Sequence, residues 1–164
     1  MTFTVRVPEP GDVAELVELH VTTWRETYSH LLPEGYFDEA FVEGRHRMWS
    51  RLTERPRADV VVRVAEQDGR IIGFAVVGQP IGPEVATAPR DRHLYMLYVV
   101  ASHHGGGAGQ ALLDAVLGDE PAMLWVAKEN PRAIAFYRRN GFAFDGVEVQ
   151  DPNAPSIVDA RMVR

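Results

Sequence analysis

Apolar and polar residues alternate at the start of the chain, Phe3, Val5 and Val7 against Thr2, Thr4 and Arg6. This two-residue period predicts a short half-buried strand ended by Pro8 and Pro10. The period then lengthens. Val13, Leu16, Val17, His20 and Trp24 fall on one helix face, and Asp12 with Glu15 forms a capping-box-like start. Pro33 opens a second predicted helix with the stripe Phe37, Phe41, Met48 and Leu52, which Pro56 ends. β-Branched runs over 60–65 and 71–77 flank Asp68-Gly69 and predict a hairpin. The stretch 79–90 carries three prolines and reads as a long surface loop able to shape a substrate pocket.

A strand over 93–100 then runs into a glycine cluster and a helix over 107–117. The next strand, over 122–127, is reached by that helical crossover, which makes the two strands parallel neighbours. Asn130 as N-cap, Pro131 at the first helical position and Asn140-Gly141 at the close mark a short helix. Strands over 142–149 and 157–163, around an Asp-Pro-Asn-Ala-Pro turn, finish the chain.

Composition narrows the function classes. The 164 residues suit one domain spanning 1–164, and 46% hydrophobic with 24% charged residues is the make-up of an ordinary globular protein. No apolar run approaches the roughly 20 residues of a membrane span, and the N-terminus lacks a basic start followed by an apolar segment, so the expectation is a cytoplasmic protein with no membrane partner. Cysteine is absent, which excludes disulfides, thiolate metal sites and a thioester formed on the protein itself. His46 and His103-His104 have no spaced carboxylate or cysteine set, so no metal is expected. The net charge is −6 and the basic residues are scattered, which argues against nucleic acid and mildly favours cationic small molecules.

The segment 94–113 is the most informative. An apolar strand, a loop of unobstructed backbone N–H groups and a helix N-terminus together suit a diphosphate-bearing ligand. A P-loop would need Lys and Ser/Thr after its last glycine, but Gly109 is followed by Gln110 and Ala111. A dinucleotide fingerprint needs G-x-G-x-x-G, whereas Gly105, Gly107 and Gly109 alternate.

This segment resembles the GNAT superfamily of acyl-CoA-dependent N-acetyltransferases, whose signature is an L-x-V strand, then Q/R-x-x-G-x-G/A, then an apolar helix. Leu97-Tyr98-Val99 matches the strand, and His104-Gly105-Gly106-Gly107-Ala108-Gly109 matches the loop. His104 stands where Gln or Arg is usual, and Gly106 where a cation is frequent. A second match follows in Leu124-Trp125-Val126, Asn130, Ala133, Phe136-Tyr137 and Gly141-Phe142, and Trp24, Tyr28 and Leu32-Pro33 look like the acceptor-side region of small-molecule members.

The resemblance implies an α/β (α+β) fold, a central mixed, mostly antiparallel sheet of about six to seven strands with a splayed parallel pair and about four helices. It implies acetyl-CoA as co-substrate, held by Leu97, Val99, His104, Gly105, Gly106, Gly107, Ala108, Gly109, Gln110, Asn130 and Tyr137. The implied reaction is direct acetyl transfer to a primary amine, with a small molecule as partner. Tyr137 stands at the general-acid position, since a phenol of reference pKa about 10 carries a proton at neutral pH. Its position on one helix face with Phe136 equally allows simple packing.

Two residues are candidates for the base. His93 shares a strand face with Tyr95, Leu97 and Val99 on an unbroken period of two, and Glu26 ends the first helix. His20, on an apolar helix face, reads as a satisfied buried histidine. Trp24, Tyr28, Tyr36, Trp49 and the 79–90 loop are candidates for the acceptor pocket, with Glu26 or Glu84 attracting a cationic amine. A peptide or protein N-acetyltransferase, a non-catalytic acyl-CoA sensor and a homodimer all stay open.

Overall fold

Asp68 and Gly69 both adopt positive φ, 52° and 75°, the turn geometry whose twist matches paired strands. They join β2 (Val61–Gln67) to β3 (Arg70–Gly78) in the antiparallel hairpin that the sequence predicts, in a computed structural model that describes residues 2–152 and 154–164. Met1 lies outside the described residues, as does Asn153 of the Asp-Pro-Asn-Ala-Pro turn. The other strands are β1 (Thr4–Arg6), β4 (His93–Val99), β5 (Met123–Ala127), β6 (Ala143–Gln150) and β7 (Val158–Val163). The helices are α1 (Val13–Tyr28), α2 (Glu39–Glu54), α3 (Ala108–Val116) and α4 (Pro131–Arg139).

The sheet runs β1-β2-β3-β4-β5-β7-β6, and among the described residues only β4 and β5 pair in parallel. This is the mixed, mostly antiparallel α/β architecture expected. β3 is buried from Ile71 to Gly78 because both of its faces are covered, which explains its unbroken apolar run. On one face Ile72 and Val77 meet Leu112, Leu113 and Val116 of α3, and on the other Phe74 and Val76 meet Leu16 of α1 and Trp49 of α2.

His20 sits wholly within the second core. Its Nδ1 accepts the Trp49 indole N–H at 3.2 Å, so it is the satisfied buried histidine expected. Burial, reinforced by Arg45, depresses its pKa to about 3. A histidine depressed in the fold contributes stability that is complete above its unfolded pKa and lost as pH falls toward the folded value. Lowering the pH from 7 to 5 should therefore cost about 2 kcal/mol through this residue, within a window from about 6.5 down to 3. Urea titrations of the wild type and of His20→Gln at both pH values check this: the variant should lose less stability, and parallel losses would contradict it.

Two local expectations are corrected. Asp12 does not cap α1 with its side chain; its carboxylate accepts from the Glu9 amide at 2.7 Å and pairs with Arg6, while Glu15 reaches the Ile71 amide at 2.9 Å and ties α1 to β3. The second helix starts at Glu39 rather than at Pro33, because Gly35 adopts φ +77° and Asp38 supplies the cap, accepting from the Phe41 amide at 2.9 Å. Phe37 therefore precedes the helix. The 79–90 loop contains a 3-10 turn, Gly82–Ala86, anchored by Glu84.

Candidate active site

β4 and β5 pair only at His93 with Met123 and at Leu94 with Leu124, then diverge. The divergence opens a cleft of about 560 Å³ lined by Leu97, Tyr98 and Val99 on one side and Trp125, Val126 and Asn130 on the other. It extends to Glu26, Thr27 and Tyr28 of α1 and to His104, Gly105 and Gly107–Gln110 of the glycine loop.

The loop is built for an anion. Gly105 and Gly107 take φ of +78° and +89°, open to glycine at little cost, and this turns the chain so that α3 begins at Ala108. Among the described residues, the N–H groups of Gly105, Gly107, Ala108, Gly109 and Gln110 have no acceptor, at the positive end of the helix dipole. Space around the loop is free: a Cβ on Gly105 or Gly107 would meet no protein atom within 4 Å, and one on Gly109 would meet Phe136 at 3.7 Å. This cradle fits a diphosphate.

His104 lies in the loop, exposed but tied back to β4. Its Nε2 is 2.7 Å from the Val99 carbonyl, and since a carbonyl only accepts, this nitrogen carries the proton and is engaged there. The imidazole thus braces the loop on the end of β4 and occupies the carbonyl of Val99, a residue that the resemblance assigns to the co-substrate. Gly106 donates its own amide to the His103 carbonyl and is absent from the cleft wall.

α4 forms the far wall. Asn130 caps it as expected, Oδ1 accepting from the Ala133 amide at 3.1 Å, and Pro131 follows at the first helical position. Ala133, Phe136 and Tyr137 face the cleft. The Tyr137 side chain is 8% exposed and packs against Phe136 and Phe142, with ring centroids at 5.4 and 5.9 Å, yet its hydroxyl has no hydrogen-bond partner among the described residues. Packing and access to the cleft therefore coexist. Burial, with Tyr28 nearby, pushes this phenol well above the ordinary tyrosine range, so it holds its proton firmly. Tyr28 and Tyr98 are raised the same way, burial first, which makes the cleft floor a cluster of three protonated phenols.

His93 is placed differently from the expectation. Val76 pairs with Met96 but Val77 with Leu94, so Tyr95 is an extra residue on β4, a bulge. The bulge shifts the alternation by one: Leu94, Leu97 and Val99 pack on the α3 side, while Tyr95, Met96 and Tyr98 face α1 and α2. His93 therefore does not share a face with Leu97 and Val99, and it is not part of the cleft wall. It contacts Tyr95 at 4.7 Å between centroids, and its Nδ1 lies 3.2 Å from Glu84 Oε2 without hydrogen-bond alignment. Burial lowers its pKa against the opposing pull of Glu84.

The other Glu84 oxygen accepts the Trp125 indole N–H, so one carboxylate links the loop to both β4 and β5 where they part. Glu84 is thus a strut rather than an attractor for an amine in the cleft. Glu26 does line the cleft, and its Oε2 accepts the Ala101 amide at 2.9 Å, just before the glycine loop.

Four residues of this region were not singled out for their observed places. Tyr98, in the middle of L-x-V, floors the cleft, and Arg132 and Arg139 line it from α4. Their i, i+7 spacing on a helix whose two ends the sequence marks is the available signal. Asp159 lies near Tyr28 and is raised to about 6 by burial and by Asp151 and Glu129, giving the Tyr28 end of the cleft an acidic surround. Trp24 and Tyr36 stack behind Tyr28, with centroids at 6.3 Å, whereas Trp49 is fully buried in the core and unavailable to a ligand. Among the described residues no three His, Asp or Glu side chains cluster as metal ligands would, and no helix is long and apolar enough to cross a membrane.

Comparison with known proteins agrees with this geometry. Residues 14–142 match the Acetyltransferase (GNAT) family. The chain is 31% identical over 142 residues to the uncharacterized N-acetyltransferase YuaI of Bacillus subtilis, covering 82% of this chain and 77% of that protein. It is 32% identical over 129 residues to a mycothiol acetyltransferase of Salinispora arenicola, covering 66% of this chain and 42% of that longer protein. In structure it is similar to the PaiA N-acetyltransferase of Thermoplasma acidophilum in complex with coenzyme A, with a TM-score of 0.70, 20% identity and 98% of each chain covered.

Proposed function

The chain belongs to the GNAT family of acetyltransferases, and from that membership we propose that it moves the acetyl group of acetyl-CoA directly onto the primary amine of a small molecule in the cytoplasm. The observation that carries this reading is one cleft holding five unpaired amides at a helix N-terminus together with an unpartnered, fully protonated phenol. The amides of Gly105 and Gly107–Gln110 receive the pyrophosphate, and the diverging edges of β4 and β5 receive the pantetheine arm.

Glu26 accepts the proton that the amine sheds, directly or through a water, because it is the base candidate that lines the cleft. As the new C–N bond forms and the C–S bond breaks, the nitrogen loses its second proton to solvent, and Tyr137 supplies a proton to the departing sulfur and recovers one from solvent. The acidic surround of Tyr28, from Asp159 and Glu129, supports an acceptor that approaches as a cation. The absence of cysteine supports transfer without a covalent thioester on the protein.

Incubation with acetyl-CoA and a panel of small primary amines and peptides, followed by detection of free thiol, tests the reading. Thiol release dependent on a small amine is the expected result. Release with peptides alone would replace the acceptor class, and tight binding of CoA with no release on any acceptor would make the protein a sensor.

A further inference from the structure

The amide cradle carries no formal charge. His104 spends its Nε2 on the Val99 carbonyl, the His103 Nδ1 lies 2.9 Å from Ser102 Oγ, and Gly106 has no side chain. A CoA thioester brings a pyrophosphate and a separate 3′-phosphate, roughly four negative charges, to a chain whose own net charge is −6. Backbone amides alone leave that repulsion largely uncompensated.

Two cations in the cleft wall can supply the balance. Arg132 and Arg139 stand at i and i+7 of α4 with Phe136 between them, so all three share the face turned to the glycine loop. Among the described residues neither arginine has a carboxylate or carbonyl partner, whereas Arg6, Arg161 and Lys128 elsewhere are all paired. The Arg139 end of α4 is held against the start of α3, because Gln110 Nε2 donates to Asn140 Oδ1 at 2.8 Å. Two guanidinium groups with no anionic partner among the described residues thus line the same cleft as the neutral diphosphate cradle.

We propose that Arg132 and Arg139 form a clamp for the 3′-phosphate of the donor, selecting CoA thioesters over carriers that lack this group. The clamp rests on the proposed use of acetyl-CoA, but it assigns a separate role to residues outside the glycine loop. The cradle takes the pyrophosphate, leaving the 3′-phosphate as the remaining dianion. Guanidinium forks match a phosphate in geometry as well as charge. Both side chains are exposed on the helix surface, so glutamine at either position leaves the core untouched.

Isothermal titration of the full chain with CoA and with 3′-dephospho-CoA tests this without any acceptor. The wild type should bind CoA about tenfold or more tightly than dephospho-CoA. In the Arg132→Gln, Arg139→Gln double variant that ratio should fall to about twofold or less, with dephospho-CoA affinity nearly unchanged. A wild type that does not distinguish the two ligands, a ratio that survives the double substitution, or an equal loss for both ligands would each overturn the clamp while leaving the cradle standing. Failure of the wild type to bind either ligand would overturn both the clamp and the proposed function.

Discussion

Tyr137→Phe should lower turnover by about a hundredfold or more while leaving the affinity for CoA nearly unchanged, since a positioned general acid typically contributes a factor of that size. The substitution deletes one oxygen and keeps the ring, so its ring contacts with Phe136 on α4 and with Phe142 just after that helix persist. Nothing else in the fold depends on that hydroxyl, which has no protein partner among the described residues. Burial keeps the phenol protonated at any working pH, so the loss in the variant should be uniform across the neutral range. Equal turnover of variant and wild type, with equal CoA binding, would reduce Tyr137 to packing.

The second large effect concerns binding. Gly107→Val should weaken CoA by about tenfold or more, because a β-branched residue at φ +89° costs of order 1–3 kcal/mol of backbone strain. A Cβ at Gly107 meets no protein atom within 4 Å, so the penalty lies in the backbone and in the space reserved for phosphate. Gly35→Val is the matched control: it also has positive φ and an open Cβ position, but it lies before α2 and outside the cleft wall. It should lower stability and spare CoA affinity. Equal affinity losses in both variants would show a global effect instead of a loop-specific one.

What could be read from the sequence is what local chemistry decides. Asp68-Gly69 favours a tight turn with positive φ, Asn130 before Pro131 marks a helix start, and Gly105 and Gly107 mark positions where the backbone takes positive φ. The features that local pattern misplaces depend on partners far along the chain. A strand face is inferred from strict alternation, and a single extra residue at Tyr95, visible only from its pairing with β3, moves His93 out of register with Leu97.

Glu84 looked like a free loop acid, yet its partner Trp125 is 41 positions away. Arg132 and Arg139 share a helix face by their spacing, but that this face borders the cleft follows only from how α4 packs. Asp12 and Glu15 have the spacing of a helix cap, but Arg6 and the Ile71 amide offer them better partners. Electrostatic and tertiary competition, rather than propensity, separates these residues from their local patterns.

Titration of the isotope-labelled protein with acetyl-CoA, followed through its backbone amide resonances, tests most directly whether this loop is where the donor is held. One equivalent should saturate the protein, with the largest shifts at Gly105, Gly107, Ala108, Gly109 and Gln110 and smaller ones along β4 and β5. Absence of binding, or saturable shifts centred away from these amides, would contradict it.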